Sequence, residues 1–201
     1  MTTWTALLDA MNRLHNDTEA LRGFCSFPDD VVTQGFDTAD HPASGAFLAE
    51  DFGTTPYDAV LQGLRSVAPR AHWRRTYEET DIGADFMTRF GCFALIGPNA
   101  PFQSRKMHAF FVYMPAGLWY PWHHHLAEEL YFVLAGGGRF LKSGARPEDL
   151  QASGSAVHQS MQSHALETTD SPVLAYVLWR DHFDSPPELT PVSAIEGGDW
   201  S

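Results

Sequence analysis

Residues 117–138 concentrate the side chains of this 201-residue chain that could bind a metal ion. They include three consecutive histidines, two glutamates and two tyrosines. His123 and His125 are two residues apart, so on an extended strand both imidazoles point to the same face of a sheet. Glu129 and Tyr131 share a face in the same way if the apolar run around them is a strand. Two imidazoles and a carboxylate suit a divalent ion, and a phenol would lie beside it.

The spacing of this segment resembles the first motif of the cupin superfamily. Gly117, His123, His125, Glu129 and Gly136 stand at the intervals of that motif. Cupins are double-sheet jelly rolls with a metal ion inside the barrel. The resemblance implies an all-β core, a single cupin double-stranded β-helix, with an N-terminal helical extension. It also implies one divalent ion, which this ligand chemistry leaves open as Zn, Fe(II), Mn, Co or Ni.

A further ligand is expected from the opposite wall of the barrel. His164 and the apolar residues after it resemble the end of the second cupin motif, although Gln159 and Met161 replace its usual Pro and Gly. We expect His164 to be this ligand, with His158 as the alternative. The ligand set implied by the resemblance is His123, His125, Glu129 and His164, with Tyr131 as an additional candidate. By alternation, His124 and Glu128 are expected to point away from the site.

Longer stretches carry a more specific resemblance. YPWHHHLAEELYFVLAGGGRF, HALETTDSPVLAYVLWRDHF and the helical N-terminus resemble the cupin-type dimethylsulfoniopropionate (DMSP) lyases of marine bacteria, the compact Q-type members in particular. The likeness runs from the first predicted helix to Phe183. It implies that the chain cleaves DMSP, its small-molecule partner, to dimethyl sulfide and acrylate.

The chemistry of that reaction assigns roles to the aromatic residues. DMSP has an acidic Cα–H and a sulfonium leaving group on Cβ, so one proton abstraction starts a β-elimination. A free tyrosine is protonated at neutral pH, but a nearby divalent cation favours the phenolate. Tyr131 is the expected base, and Tyr120 is the second candidate or a substrate-orienting partner. The expected substrate-binding residues are Tyr120, Trp122, His123 and Trp179.

Two other functions fit the same ligands. A non-haem iron cupin dioxygenase acting on a small acid would consume oxygen. A non-catalytic cupin that binds a small molecule would keep Tyr131 as a packed core residue.

The surrounding elements follow from hydrophobic periodicity. Helices are predicted over residues 3–15, 18–24 and 56–67, with a long loop over 27–55 that could close over the barrel mouth. Short β-branched and aromatic runs predict strands over 86–96, 109–114, 129–134, 139–142, 154–161, 164–168 and 173–180. The glycines at 136–138 predict a hairpin turn. We therefore place N-terminal helices and a loop over residues 1–80 and the cupin barrel over 81–201, together one structural unit.

Composition restricts the partners and the compartment. The formal net charge is -12, which disfavours nucleic acid and anionic membrane surfaces. The N-terminus lacks a basic region followed by an apolar stretch. Two cysteines far apart fit a reducing compartment. We expect a cytoplasmic protein that could form a homodimer.

Overall fold

A computed structural model describes residues 3–78 and 80–195. The helices are α1 (Thr3–Asp17), α2 (Glu19–Phe24), α3 (Pro42–Ala49), α4 (Asp58–Val67) and α5 (Ala84–Arg89), with 3₁₀ turns at Ala68–Arg70 and Val192–Ala194. The strands are β1 (Val32–Thr33), β2 (Gly91–Ile96), β3 (Phe102–Gln103), β4 (His108–Met114), β5 (Leu118–His124), β6 (Glu128–Lys142), β7 (Glu148–Gln151), β8 (Ser155–His158), β9 (His164–Thr168), β10 (Val173–Arg180) and β11 (Glu188–Leu189). Within the described ranges, no helix combines the length and apolar character needed to cross a bilayer.

The long strand β6 belongs to two sheets and holds the barrel together. Its first half pairs with β10 and β8, and its second half pairs with β9 and β7. The order β1-β3-β2-β4-β10-β6 forms one sheet, and β6-β9-β5-β11 forms the other. Two facing sheets joined in this way form a jelly roll. The predicted single cupin barrel with N-terminal helices is therefore confirmed.

Alternation along β10 separates two apolar cores. Tyr176 faces the helices and packs in a cluster that includes Leu7 and Leu64. Val177 faces the barrel interior, in a second cluster with Tyr131. The predicted helices over 3–15, 18–24 and 56–67 are confirmed, and their apolar stripe packs on the outside of the barrel. The division of the chain near residue 80 stays a prediction.

The prediction of a loop over 27–55 is wrong, because this segment contains β1 and α3. His41 caps α3, and its Nδ1 accepts a hydrogen bond from the backbone N–H of Ala43 at 3.2 Å. Pro42 occupies the first turn, where no intrahelical N–H is needed. Ala43 and Phe47 are four residues apart and both buried. A cap, a proline and a short apolar stripe therefore form a helix within a segment whose composition resembles a loop.

The predicted strand over 86–96 is correct only in its second half. Residues Ala84–Arg89 form α5, and β2 begins at Gly91. Asp85 lies in the first turn and pairs with Arg89 in the last at 3.1 Å, a favourable spacing on a helix. Phe86 stacks on Phe90 with ring centres 4.6 Å apart. These local pairs favour a helix over the strand that the aromatic content indicated.

The prediction of a hairpin at 136–138 is also wrong, since β6 passes through these glycines. Gly136 has a φ of 66°, and a Cβ there would lie 1.8 Å from the carbonyl oxygen of Pro172. A Cβ on Gly138 would lie 2.9 Å from the carbonyl oxygen of Glu167. The glycines therefore let β6 cross from one sheet to the other while neighbouring backbones approach closely.

Candidate metal centre and active site

A bulge between Tyr120 and His123 sets the orientation of the side chains on β5. Tyr120 pairs with Leu166 and His123 pairs with His164, so three steps along β5 match two along β9. The extra residue reverses the alternation after Tyr120. As a result Tyr120 and His123 face the same way, with rings stacked 3.9 Å apart at 10°. Simple alternation would have placed them on opposite faces.

Three histidines are oriented by their own backbone neighbourhoods. The Nδ1–H groups of His123, His125 and His164 each donate to a carbonyl two residues away, at 2.8 Å. These bonds fix the ring orientation, so Nε2 is the nitrogen that each ring has available for another partner. The Nε2 atoms of His125 and His164 are buried and have no hydrogen-bond partner among the described residues.

Glu129 lies at the centre of this cluster. Its Oε2 is 3.0 Å from Nε2 of His164 and 3.5 Å from Nε2 of His125. Its Oε1 accepts a hydrogen bond from Nε1 of Trp179 at 2.6 Å. Burial opposes ionisation, but the charge of His125 and the contacts with the surrounding imidazoles hold the pKa of Glu129 well below its ordinary value. The carboxylate is therefore ionised at neutral pH.

His125, Glu129 and His164 fit a divalent ion. One ligand atom from each lies within 4.8 Å of the others, and all three residues are buried. Buried imidazole nitrogens without partners beside an ionised carboxylate are a typical metal-ligand arrangement. Glu129 raises the pKa of His125 against the opposing effect of burial. A cation between these groups would balance the negative charge of the carboxylate.

His123 and His158, the other two histidine candidates, occupy different positions. His123 lies beside this group, and burial together with His164 lowers its pKa well below the ordinary value. His158 stacks on His164 at 3.9 Å, and its Nδ1–H donates to Oε2 of Glu129 at 3.0 Å. Burial and His164 lower the pKa of His158 to about 3. His158 is therefore neutral, and its hydrogen bond fixes the position of the Glu129 carboxylate.

Tyr131 and Tyr120 differ in their hydrogen bonding. The Tyr131 hydroxyl has no partner among the described residues, although the side chain is 4% exposed. The Tyr120 hydroxyl is 2.8 Å from that of Tyr77. Burial and the Glu129 carboxylate raise the pKa of Tyr131 well above its ordinary value. Burial, Tyr77 and Tyr131 do the same for the pKa of Tyr120. Neither phenol ionises at neutral pH without additional positive charge nearby.

A cavity lies in front of these groups. It is lined by Arg74, Thr76, Phe90, Cys92, Phe110, Val112, Tyr120, His123, His125, Glu129, Tyr131, Val177, Trp179 and Pro187. None of these comes from residues 27–55, so closure by that segment stays a prediction.

The two tryptophans expected to bind substrate have different environments. Trp122 follows the bulge and packs with Leu141 and Ala165, away from the cavity, so its expected place in the pocket is wrong. Trp179 does line the cavity. Its N–H is bonded to Glu129, and the ring of His125 lies 4.4 Å from its own. Trp179 therefore supports the cluster as well as forming a wall.

The sequence did not indicate two polar residues near the cavity. Arg74 lines it, with its guanidinium carbon 4.9 Å from the ring centre of Phe110. Tyr77 packs behind Tyr120. Both belong to the irregular segment between Trp73 and α5, which has no periodicity. A bridge between Trp73 and Phe93 ties the start of this segment to the barrel, and such a long-range contact leaves no pattern in the sequence.

Comparison with known proteins places the chain among enzymes of one type. A family model described as dimethylsulfoniopropionate lyase matches residues 42–175. The chain is 41% identical over 185 residues to dimethylsulfoniopropionate lyase DddQ of Ruegeria pomeroyi, covering 92% of each. The crystal structure of the Ruegeria pomeroyi enzyme superimposes with a TM-score of 0.91 and covers 98% of both chains. A chain from the crystal structures of the DMSP lyases RdDddP and RnDddQII is 30% identical, with a TM-score of 0.88, and covers 94% of this chain and 98% of its own.

Proposed function

We propose that this chain, which belongs to the dimethylsulfoniopropionate lyase family, cleaves DMSP to dimethyl sulfide and acrylate with the help of one divalent ion. One observation carries the proposal beyond family membership. The buried cluster of His125, Glu129 and His164 opens onto a small cavity beside a tyrosine hydroxyl that has no partner in the described part of the chain. That arrangement supplies a cation site and a base within one pocket.

The ligands of the ion in this proposal are His125, Glu129 and His164, with Tyr131 as a further candidate. When bound, a divalent ion polarises the substrate carboxylate and lowers the pKa of a neighbouring phenol. His158 donates a hydrogen bond to Oε2 of Glu129, and Trp179 donates one to Oε1, so both carboxylate oxygens are fixed in place. The low pKa of Glu129 keeps the carboxylate ionised, so the site carries the negative charge that a cation requires.

The proposed base is Tyr131. Its phenolate takes the proton from Cα, the C–H electron pair forms the new double bond to Cβ, and the C–S pair leaves with sulfur. Dimethyl sulfide departs as a neutral molecule, and acrylate keeps the carboxylate. Because burial and Glu129 both raise the pKa of Tyr131, the phenolate forms only when a cation offsets that charge. Removal of the metal should therefore also remove the ability of Tyr131 to act as a base.

Tyr120 and His123 form the adjacent wall and are proposed to hold the substrate. Their rings stack, and both side chains are buried. Burial keeps the pKa of His123 low, so its neutral ring adds no positive charge opposite the sulfonium. The apolar side chains of Phe90, Val112 and Val177 surround the space left for the dimethylsulfonium group. A cytoplasmic location and a homodimer stay predictions from the sequence.

The test is an incubation of purified protein with DMSP in sealed, oxygen-free vials. Dimethyl sulfide is measured in the headspace and acrylate by proton NMR. We expect equimolar products without oxygen, loss of both after chelation, and recovery when a divalent ion is returned. Oxygen consumption with added Fe(II), and no dimethyl sulfide, would favour the dioxygenase. Tight binding of DMSP without turnover would favour a binding protein.

A further inference from the structure

Tyr77 and Tyr120 form a hydrogen-bonded pair behind the cavity. Their hydroxyl oxygens are 2.8 Å apart, and the side chains are 1% and 5% exposed. Tyr120 lines the cavity, whereas Tyr77 does not. Any effect of the Tyr77 hydroxyl on a molecule in the cavity must therefore pass through Tyr120.

Ring packing holds both residues in place. Tyr77 meets Tyr120 edge to face with centres 5.9 Å apart, and it meets Phe86 in the same manner at 6.0 Å. Tyr120 lies between Phe90 at 4.8 Å and the stacked ring of His123. Because these contacts fix the rings, a Tyr77→Phe change removes the hydroxyl and leaves the packing.

The direction of the hydrogen bond follows from the available partners. Among the described residues, the Tyr120 oxygen is the only partner of the Tyr77 hydroxyl. A phenol with an ordinary pKa of about 10 carries one proton to donate at neutral pH. A buried hydroxyl that fails to donate loses a hydrogen bond. Tyr77 therefore donates to Tyr120, and the proton of Tyr120 turns toward the cavity.

We infer that Tyr77 is a positioning residue, which fixes the Tyr120 hydroxyl as a hydrogen-bond donor to the carboxylate of a substrate in the cavity. The inference rests on the proposed function and deepens it. It gives the two cavity tyrosines separate tasks. Tyr131, whose hydroxyl has no partner among the residues described, is free to exchange its proton, whereas Tyr120 is oriented to donate and keeps its proton.

The first experiment compares Tyr77→Phe with the wild type and with a matched control, Tyr57→Phe. Tyr57 also has a hydroxyl bond of 2.8 Å, to Ser153, and it does not line the cavity. We expect Tyr77→Phe to raise KM for DMSP about fivefold, the effect of one lost hydrogen bond, with kcat within about twofold. Tyr57→Phe should leave both constants unchanged. Equal behaviour of the two variants would overturn the inference.

The second experiment measures binding without turnover. Propionate and trimethylsulfonium are titrated separately into metal-loaded protein and followed by calorimetry. Tyr77→Phe should lower the affinity for propionate about fivefold and leave the affinity for trimethylsulfonium unchanged, because only propionate has a carboxylate. A loss of affinity for both ions would indicate general damage to the pocket and contradict the inference. This experiment remains decisive even if the wild type releases no dimethyl sulfide, so it separates failure of the inference from failure of the proposed function.

A double-mutant cycle completes the test. Tyr120→Phe should lower the affinity for propionate at least as much as Tyr77→Phe does. The double variant should bind propionate no more weakly than Tyr120→Phe alone. Strictly additive losses would show that Tyr77 acts independently of Tyr120 and would contradict the inference. Unfolding midpoints of all variants, recorded by circular dichroism, should agree within a few degrees.

Discussion

Trp179 and Glu129 face each other directly across the β6–β10 pair, and the indole Nε1 donates to Oε1 of the carboxylate at 2.6 Å. The register of two paired strands therefore sets the position of a metal-ligand candidate. The other oxygen of Glu129 accepts a hydrogen bond from His158, which lies opposite it on β8. Glu129 is thus held by both strands that flank β6, and it cannot turn without breaking one of these bonds.

The indole N–H can be removed with little loss of packing. Trp179→Phe keeps a ring against His125 but leaves Oε1 of Glu129 without its donor. We expect affinity for a divalent ion to fall about tenfold, as is typical for the loss of such a supporting bond. Metal titration of the apoprotein, followed by calorimetry, measures the change. The control is Trp119→Phe, a 40% exposed residue of β5, which should bind as the wild type does. Equal affinities for the two variants would contradict the supporting role.

His158 and His164 can be distinguished by the metal content of their variants. His164→Ala removes a proposed ligand, so purified protein should retain little metal. His158→Ala removes only a hydrogen bond to Glu129, so affinity should fall about tenfold to a hundredfold and binding should recover with excess ion. Elemental analysis after dialysis at two ion concentrations measures both effects. If His158→Ala stays empty and His164→Ala fills, the proposed assignment is reversed.

Gly136 should be among the least replaceable residues of β6. An alanine there would adopt a φ of 66° and place its Cβ 1.8 Å from the backbone oxygen of Pro172. Gly136→Ala should therefore lower the free energy of unfolding by about 3 kcal/mol or more, or prevent folding. Gly144 has a φ of 80°, and an added methyl group there would meet nothing within 4 Å, so Gly144→Ala should cost only about 1 kcal/mol. Urea denaturation measures the free energy of unfolding of both variants. Equal losses of stability would contradict the close approach of the Pro172 backbone to Gly136.

His108 should make stability depend on pH. Burial and the charge of Arg74 lower its pKa from 6.5 to about 4, and its ring stacks on Phe183 at 4.3 Å. Between these values the unfolded chain binds a proton that the folded chain does not, so stability falls as the pH drops from 6.5 to 4. The loss attributable to His108 is about 2 kcal/mol after allowance for partial solvent screening.

His108→Phe keeps an aromatic ring at this position and removes the titrating group. The free energy of unfolding of the variant should change less than that of the wild type between about pH 7 and pH 5, as measured by urea denaturation at each pH. Parallel pH profiles for the two proteins would show that His108 does not contribute. Other buried histidines titrate in both proteins, so the difference between the profiles isolates His108.

The sequence predicted the barrel because alternation and cupin spacing depend on neighbours along the chain. The same local information placed Glu129 and Tyr131 on the inner face of β6. This information failed on β5, where a bulge between Tyr120 and His123 turns Trp122 outward. A bulge changes the parity of a strand, and a proline alone does not reveal whether one is present.

The outer layer of the site was hidden for a different reason. Tyr77 and Arg74 come from an irregular segment that is placed by contacts with β2 and α5. Such contacts join residues that are distant in sequence and leave no periodic signal. His158 and His164 were both recognised as candidates, but spacing did not decide between them. Their order around Glu129 depends on which strand pairs with each half of β6.

The most direct test of the central claim is the rate of dimethyl sulfide release by Tyr131→Phe, with bound metal measured on the same sample at saturating ion. The claim is that a cation held beside Glu129 makes the Tyr131 hydroxyl the base. We expect the rate to fall on the order of a hundredfold or more while the metal stays bound. Tyr120→Phe should retain a larger fraction of the wild-type kcat than Tyr131→Phe does. A Tyr131→Phe protein that binds metal and releases dimethyl sulfide at the wild-type rate would contradict the claim.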